Sequence, residues 1–221
     1  MLQEPLVILD FETTGLSPEQ GDRITEIGLV RIEDDRITGR YTSLVNCGVR
    51  IPSYITAYTG ITQAMVDAAP TVGVVLREML TFIGHSTVVA HGAQFDQRFF
   101  ANECRHASLS PTTLPPFLCS LQLARRVHPT LACHSLGALA HKLALPVAGL
   151  AHRASADAEV TAQLMLNLAR ELSLTYPGLV IDAELLRRLM HSPLAITTAG
   201  AVSWAPAEHI PSPAARLGQV G

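Results

Sequence analysis

Much of what usually marks a chain for one job is scarce here. Lys142 is the single lysine, and 16 Lys and Arg residues face 19 acids, for a formal net charge of −3. That balance excludes a strongly basic nucleic-acid coat, whose affinity comes from many phosphate-neutralising cations. The cysteines Cys47, Cys104, Cys119 and Cys133 form no Cys-x-x-Cys pair. No signal-peptide pattern accompanies them, so free thiols in a reducing cytoplasm are the expectation. No apolar run approaches the roughly 20 residues of a membrane span. Tryptophan occurs once, at Trp204, and no internal repeat is present. What is there is 221 residues, 48% hydrophobic and 16% charged, which suits one domain with a good core and an extension.

The most informative stretch is Leu6-Val7-Ile8-Leu9-Asp10-Phe11-Glu12-Thr13-Thr14-Gly15. An apolar strand runs into two carboxylates and then a turn. Side chains alternate faces in a strand, so Asp10 and Glu12 share a side. Two such acids at the end of a buried strand repel each other and resist desolvation, which a cation or a shared proton relieves. A strand that ends in solvent with both acids hydrated accounts for this stretch equally well.

Further along, Arg23 to Ile32 and Ile37 to Val45 alternate polar with apolar around an Asp34-Asp35 turn, the pattern of a hairpin. Glu26, within it, is expected at the surface or a sheet edge. Short helical pieces fill residues 52–69, with Thr62 an N-cap type. Thr71 precedes a helix from Val72 to Ile83, and a strand follows from Thr87 to His91. In the next helix, from Ala93 to His106, Phe95 and Phe99 face the core. Asp96 lies in the first turn, beside the sheet's carboxyl end where α/β proteins place their sites; complementing the helix dipole is its competing role. A short strand at Phe117–Cys119 precedes helices at Leu121–Val127 and Ser135–Leu143, the first ending in a solvated Arg125-Arg126-Val127-His128 cluster. A long helix starts near Ser155. His152 in the loop before it and Asp157 in its first turn can address one pocket, whereas in one helix five positions would splay them apart. Asp182–His191 reads as an amphipathic helix. The expected organisation is a domain over 1–174, a helical extension over 175–192 and a Pro-rich tail over 193–221, either disordered or packed on the domain.

Each acid alone carries little weight, but their order does more. DFETTG, AHGAQFD and HRASADA resemble the three motifs of the DnaQ-like, or DEDDh, 3′–5′ exonucleases. That family includes the proofreading epsilon subunit of bacterial DNA polymerase III, ribonuclease T and oligoribonuclease. GDRITEIG, ITAYTGIT and MVDAAP resemble its inter-motif segments, so the likeness spans roughly residues 4–173. It implies a ribonuclease-H-like α/β fold, a mixed five-stranded sheet with helices on both faces. It also implies Asp10, Glu12, Asp96 and Asp157 as ligands of two divalent ions, Mg²⁺ or Mn²⁺, and His152 as general base. Thr13, Thr14, Gly15 and Ile61 would then surround the 3′-terminal nucleotide. Two positions depart from the family pattern: Thr59 stands where relatives often have histidine, and Gly92 where they often have asparagine. These leave the chemistry in place and bear on substrate preference and local rigidity.

The activity implied is metal-dependent hydrolysis from the 3′ end of single-stranded nucleic acid, releasing nucleoside 5′-monophosphates. DNA is favoured over RNA, proofreading is one role, and a polymerase or other tethering protein is an expected partner. An exoribonuclease for RNA trimming uses the same five residues. A non-catalytic binding module is disfavoured by the full set of catalytic residue types. A polymerase adaptor finds little support in Gln163-Leu164-Met165-Leu166, which falls inside a helix. A chain at −3 is expected to grip only a short 3′ end and to act distributively unless tethered.

Overall fold

A computed structural model of the chain describes residues 2–110, 117–147, 152–192, 194–196 and 202–204. Strands β1 (Leu6–Thr13), β2 (Ile24–Glu33) and β3 (Arg36–Leu44) succeed one another antiparallel. The β2–β3 turn places Asp34 and Asp35 both at positive φ, the backbone a tight hairpin requires and one that Asp tolerates. On the other side of β1, β4 (Thr87–Ala90) pairs parallel, and β5 (Leu118–Cys119) pairs parallel with β4. The order is β3-β2-β1-β4-β5. This is the mixed five-stranded, ribonuclease-H-like sheet that the motifs implied.

Helices α1 (Ser53–Thr59), α2 (Gln63–Asp67) and α3 (Val72–Ile83) lie between β3 and β4, and α4 (Gln94–His106) lies between β4 and β5. After β5 come α5 (Ser120–Val127), α6 (Leu136–Lys142), α7 (Ala154–Thr175) and α8 (Ala183–His191). Thr62 and Ser135 accept from Met65 and Ala138 N–H at the starts of α2 and α6. Thr71 stands at the start of α3 without such a bond.

The period of two in β1 sorts the core into two layers. Leu6 and Ile8 pack with Val30, Ile32 and the Leu164, Met165 and Leu168 stripe of α7. Val7, Leu9 and Phe11 pack on the opposite face with Met79 and Ile83 of α3 and Phe99 of α4. The same alternation then directs Asp10 and Glu12 to the α7 side. An apolar layer therefore runs straight into an acidic corner.

The extension docks on this core. Leu186 and Leu189 of α8 join the α7 layer, and the Ala183 N–H donates to Glu4 at 2.6 Å. Leu2 and Ile181 form a parallel bridge. Within the region read as a tail, Leu194–Ile196 (β6) and Val202–Trp204 (β7) pair as an antiparallel ribbon. The rest of that tail, 193, 197–201 and 205–221, and the loop residues 111–116 and 148–151 lie outside the described residues.

Candidate active site

Strand β1 and helix α7 meet at one corner of the sheet. Opposite Asp10 on β2 stands Gly28, and opposite Glu12 stands Glu26. A Cβ on Gly28 would lie 2.6 Å from the backbone nitrogen of Ser155 and closer still to the Ala154 carbonyl. Glycine thus lets the first turn of α7 rest on the strand with no side chain between. Asp157, in that same first turn, is carried over β1. Asp10, Glu12 and Asp157 each offer a carboxylate oxygen within 4.8 Å of the others, all half-buried.

Glu26 does not lie at the surface, as the sequence suggested. It is 2% exposed, and its carboxylate accepts from Arg153 Nε at 3.0 Å, Arg153 Nη2 at 2.5 Å and the Ala154 N–H at 2.9 Å. This pair ties the start of α7 to β2. A second buried pair acts on α4: Glu103, fully buried, accepts from Arg23 Nε and Nη2, each at 2.8 Å, and from the Ile24 N–H. Both helices that bring acids to the corner are therefore fastened to the Arg23-Ile24-Thr25-Glu26 stretch.

Asp96, in the first turn of α4, is 4% exposed. Its carboxylate is pushed up to about 8 by burial, although the N–H groups of Asp96 and Phe11 oppose the shift. Asp10 is raised well above its ordinary value by burial, then by the charges of Asp96, Asp157 and Glu12. Glu12 rises to about 7 through burial and the charges of Asp157 and Glu26, against the pull of Arg153. Asp157 is raised by burial, while the charge and backbone N–H of His152 counter this. Burial leads each of these shifts, and at Asp10 and Glu12 the neighbouring acids add to it, so a cation bound here would relieve both. Oxygen donors alone, with no Cys or His among them, suit a hard divalent ion such as Mg²⁺ or Mn²⁺.

His152 precedes α7 at φ 62°, and its ring stacks on Tyr58 of α1 with centroids 3.9 Å apart. Tyr58 was not singled out from the sequence. Thr13 and Thr14 are buried, and their hydroxyls are engaged: Thr13 Oγ1 donates to the Gly15 carbonyl at 2.6 Å, and Thr14 Oγ1 to Asp22. Ile61 is fully buried among Cys47, Ile51 and Val66, so its side chain supports the turn from beneath. Thr59 Oγ1 fixes that turn, donating to the Ile55 carbonyl and accepting from the Ile61 N–H. Gly92 sits at φ 89°, the left-handed backbone that launches α4 toward the corner. Beside Asp157, a cleft of about 560 Å³ opens between α6 and α7, walled by Leu136, Ala140, Leu145 and Val160.

The RNase_T exonuclease family model matches residues 7–165. DNA polymerase III subunit epsilon of Aquifex aeolicus is 35% identical over 176 residues, 80% of this chain and 86% of that protein. A PolC-type DNA polymerase III of Clostridium perfringens is 36% identical over 72% of this chain, but the match spans only 11% of that longer protein. Among solved structures, exonuclease X in complex with 5′-overhanging duplex DNA superposes with TM-score 0.64 at 30% identity, covering 84% of this chain and 99% of that one.

Proposed function

Since this chain belongs to the RNase_T exonuclease family, the DnaQ-like or DEDDh exonucleases, we propose that it removes nucleotides from the 3′ end of single-stranded nucleic acid, DNA in preference to RNA, as nucleoside 5′-monophosphates. The observation that carries this reading is the gathering of Asp10, Glu12 and Asp157 at one half-buried corner, with the buried Asp96 raising Asp10.

In this reading Asp10, Glu12, Asp96 and Asp157 hold the divalent metal. The bound metal supplies charge neutralisation at the phosphodiester and a more acidic water. The chain's own groups do the rest. His152 takes the proton from the attacking water. The Thr13-Thr14-Gly15 turn, continuous with Glu12, presents its backbone to the terminal nucleotide, and Ile61 holds the opposite wall from below. Arg153 and Glu26 keep the α7 start, and hence His152 and Asp157, in register with β1.

Grip on longer nucleic acid is weak in this reading. Arg23, Arg40, Arg98 and Arg153 are each tied to a glutamate, which leaves fewer cations for phosphates. Action is then distributive, and a polymerase or similar partner provides the tether, as an epsilon-like chain would use. Residues 1–174 form the catalytic unit and α8 its packed extension.

The test is digestion of 3′-labelled and 5′-labelled DNA and RNA oligonucleotides of one sequence, with Mg²⁺, Mn²⁺ or chelator. Metal-dependent release of mononucleotides from the 3′ end, faster on DNA, is expected. Activity that persists in chelator, or products released from the 5′ end, would end the proposal.

A further inference from the structure

Helix α1 brings Tyr58 to the mouth of the carboxylate corner and leaves the residue 59% exposed. Its ring lies on His152 with centroids 3.9 Å apart and planes inclined by 28°. The phenol is raised by partial burial and then by the charges of Glu12 and Asp157, which places it beside the acids. Among the described residues, the His152 ring makes no hydrogen bond: it contacts Tyr58 by stacking, and Asp157 feels its charge but takes its hydrogen bond from the His152 backbone. A base that takes a proton must be oriented, and in other acid–base sites a hydrogen-bonded partner performs that task. His152 also sits at φ 62°, in a region non-glycine residues rarely occupy.

We infer that Tyr58 is the positioning residue of the proposed base: its ring clamps the His152 imidazole over the carboxylate corner by stacking, where a hydrogen-bonded partner would otherwise act. This rests on His152 serving as base. What matters is the aromatic face, so phenylalanine preserves the clamp and leucine removes it. Because Tyr58 is largely at the surface, neither change moves the thermal midpoint.

The test uses the full chain with a 3′-labelled single-stranded oligonucleotide and saturating Mn²⁺. Tyr58→Leu is expected to lower kcat about tenfold, part of the 10²–10⁴ that acid–base catalysis supplies, with KM changed less than about twofold. Tyr58→Phe recovers most of that loss. Tyr58→Leu adds nothing on a His152→Ala background, because the two act as one unit. A second readout does not depend on turnover. In metal-free protein the His152 ring protons carry a ring-current shift, which is retained in Tyr58→Phe and lost in Tyr58→Leu. Tyr58→Leu with normal kcat beside an impaired His152→Ala would overturn the inference, as would a loss confined to KM or unmoved His152 resonances. A fully active His152→Ala would instead remove the base assignment itself, so the two failures are distinguishable.

Discussion

Gly28→Ala is the smallest change that tests how this corner is assembled. An added Cβ would fall 2.6 Å from the Ser155 nitrogen and nearer still to the Ala154 carbonyl, all of it main chain, where ordinary contact begins at 3.4 Å. The first turn of α7 must retreat by about 1 Å, or β2 must buckle as far. Neither is easy, because the Ala154 N–H and Arg153 are held by Glu26 two residues earlier on the same strand. Overpacking of this kind costs about 1–3 kcal/mol, and each kcal/mol lowers the melting midpoint of a chain this size by about 2–4 °C. Asp157 travels with α7, away from Asp10 and Glu12. Misplacement by about 1 Å is enough to cost on the order of 10²-fold in rate. The assay is kcat/KM on a 3′-labelled oligonucleotide, together with the rise in melting midpoint on adding Mn²⁺; both should fall. Gly73→Ala is the control, since its Cβ meets the Ala107 Cβ and Arg77 Nη1 at 3.8 Å, both ordinary contacts, and it should leave both unchanged. If Gly28→Ala kept kcat/KM within about threefold and the full metal-induced shift, the spacing of α7 from β2 would not be what builds the site.

Three further outcomes follow from the same geometry. Asp10→Asn should cost about 10²-fold or more in activity, the scale of losing one preorganised electrostatic group. It should also raise the metal-free melting midpoint, because burial and neighbouring acids penalise the Asp10 charge; a lower metal-free midpoint would contradict this. In chelator, stability should fall as pH rises. Glu12 at about 7 and Asp96 at about 8 stand above their ordinary 4.5 and 3.8, so their contribution is complete below about pH 4 and lost through pH 7–8. The gain from added Mn²⁺ should therefore grow between pH 5.5 and 8.5, and metal-free melting that is flat or rising over that range would refute the cause assigned. Glu26→Gln should cost about 3 kcal/mol in urea unfolding, the lower end for breaking a buried pair, since Arg153 is 30% exposed and can rehydrate. A loss under about 1 kcal/mol would show the pair to be incidental.

The parts of this molecule legible in the sequence are those set by local periodicity. Alternation in β1 put Asp10 and Glu12 on one side, and the structure shows that side to be the α7 face. The β2–β3 hairpin, the strand-to-helix launch of Asp96 and the loop position of His152 also came from short-range signals. Glu26 was misplaced although the signal existed. It alternates in phase with Val30 and Ile32, both core residues, so the strand pattern already pointed it inward. A lone acid was assigned to solvent because its partner, Arg153, lies 127 residues away in the chain.

The Ile61 and Tyr58 pair shows a different limit. Motif likeness named Ile61 as the residue beside the nucleotide, yet Ile61 is fully buried and Tyr58 is the exposed side chain. Thr59 produces that exchange by closing the end of α1: its hydroxyl takes the Ile61 N–H and gives to the Ile55 carbonyl. The turn folds under, Ile61 goes with it, and the last helical aromatic is left facing His152. Thr59 commits its hydroxyl to backbone groups, so the ring at this wall comes from the preceding residue, Tyr58, on the exposed side of the helix. Which side chain meets the corner is thus set by how the end of α1 turns, and a motif read position by position names Ile61 without registering the ring that faces His152.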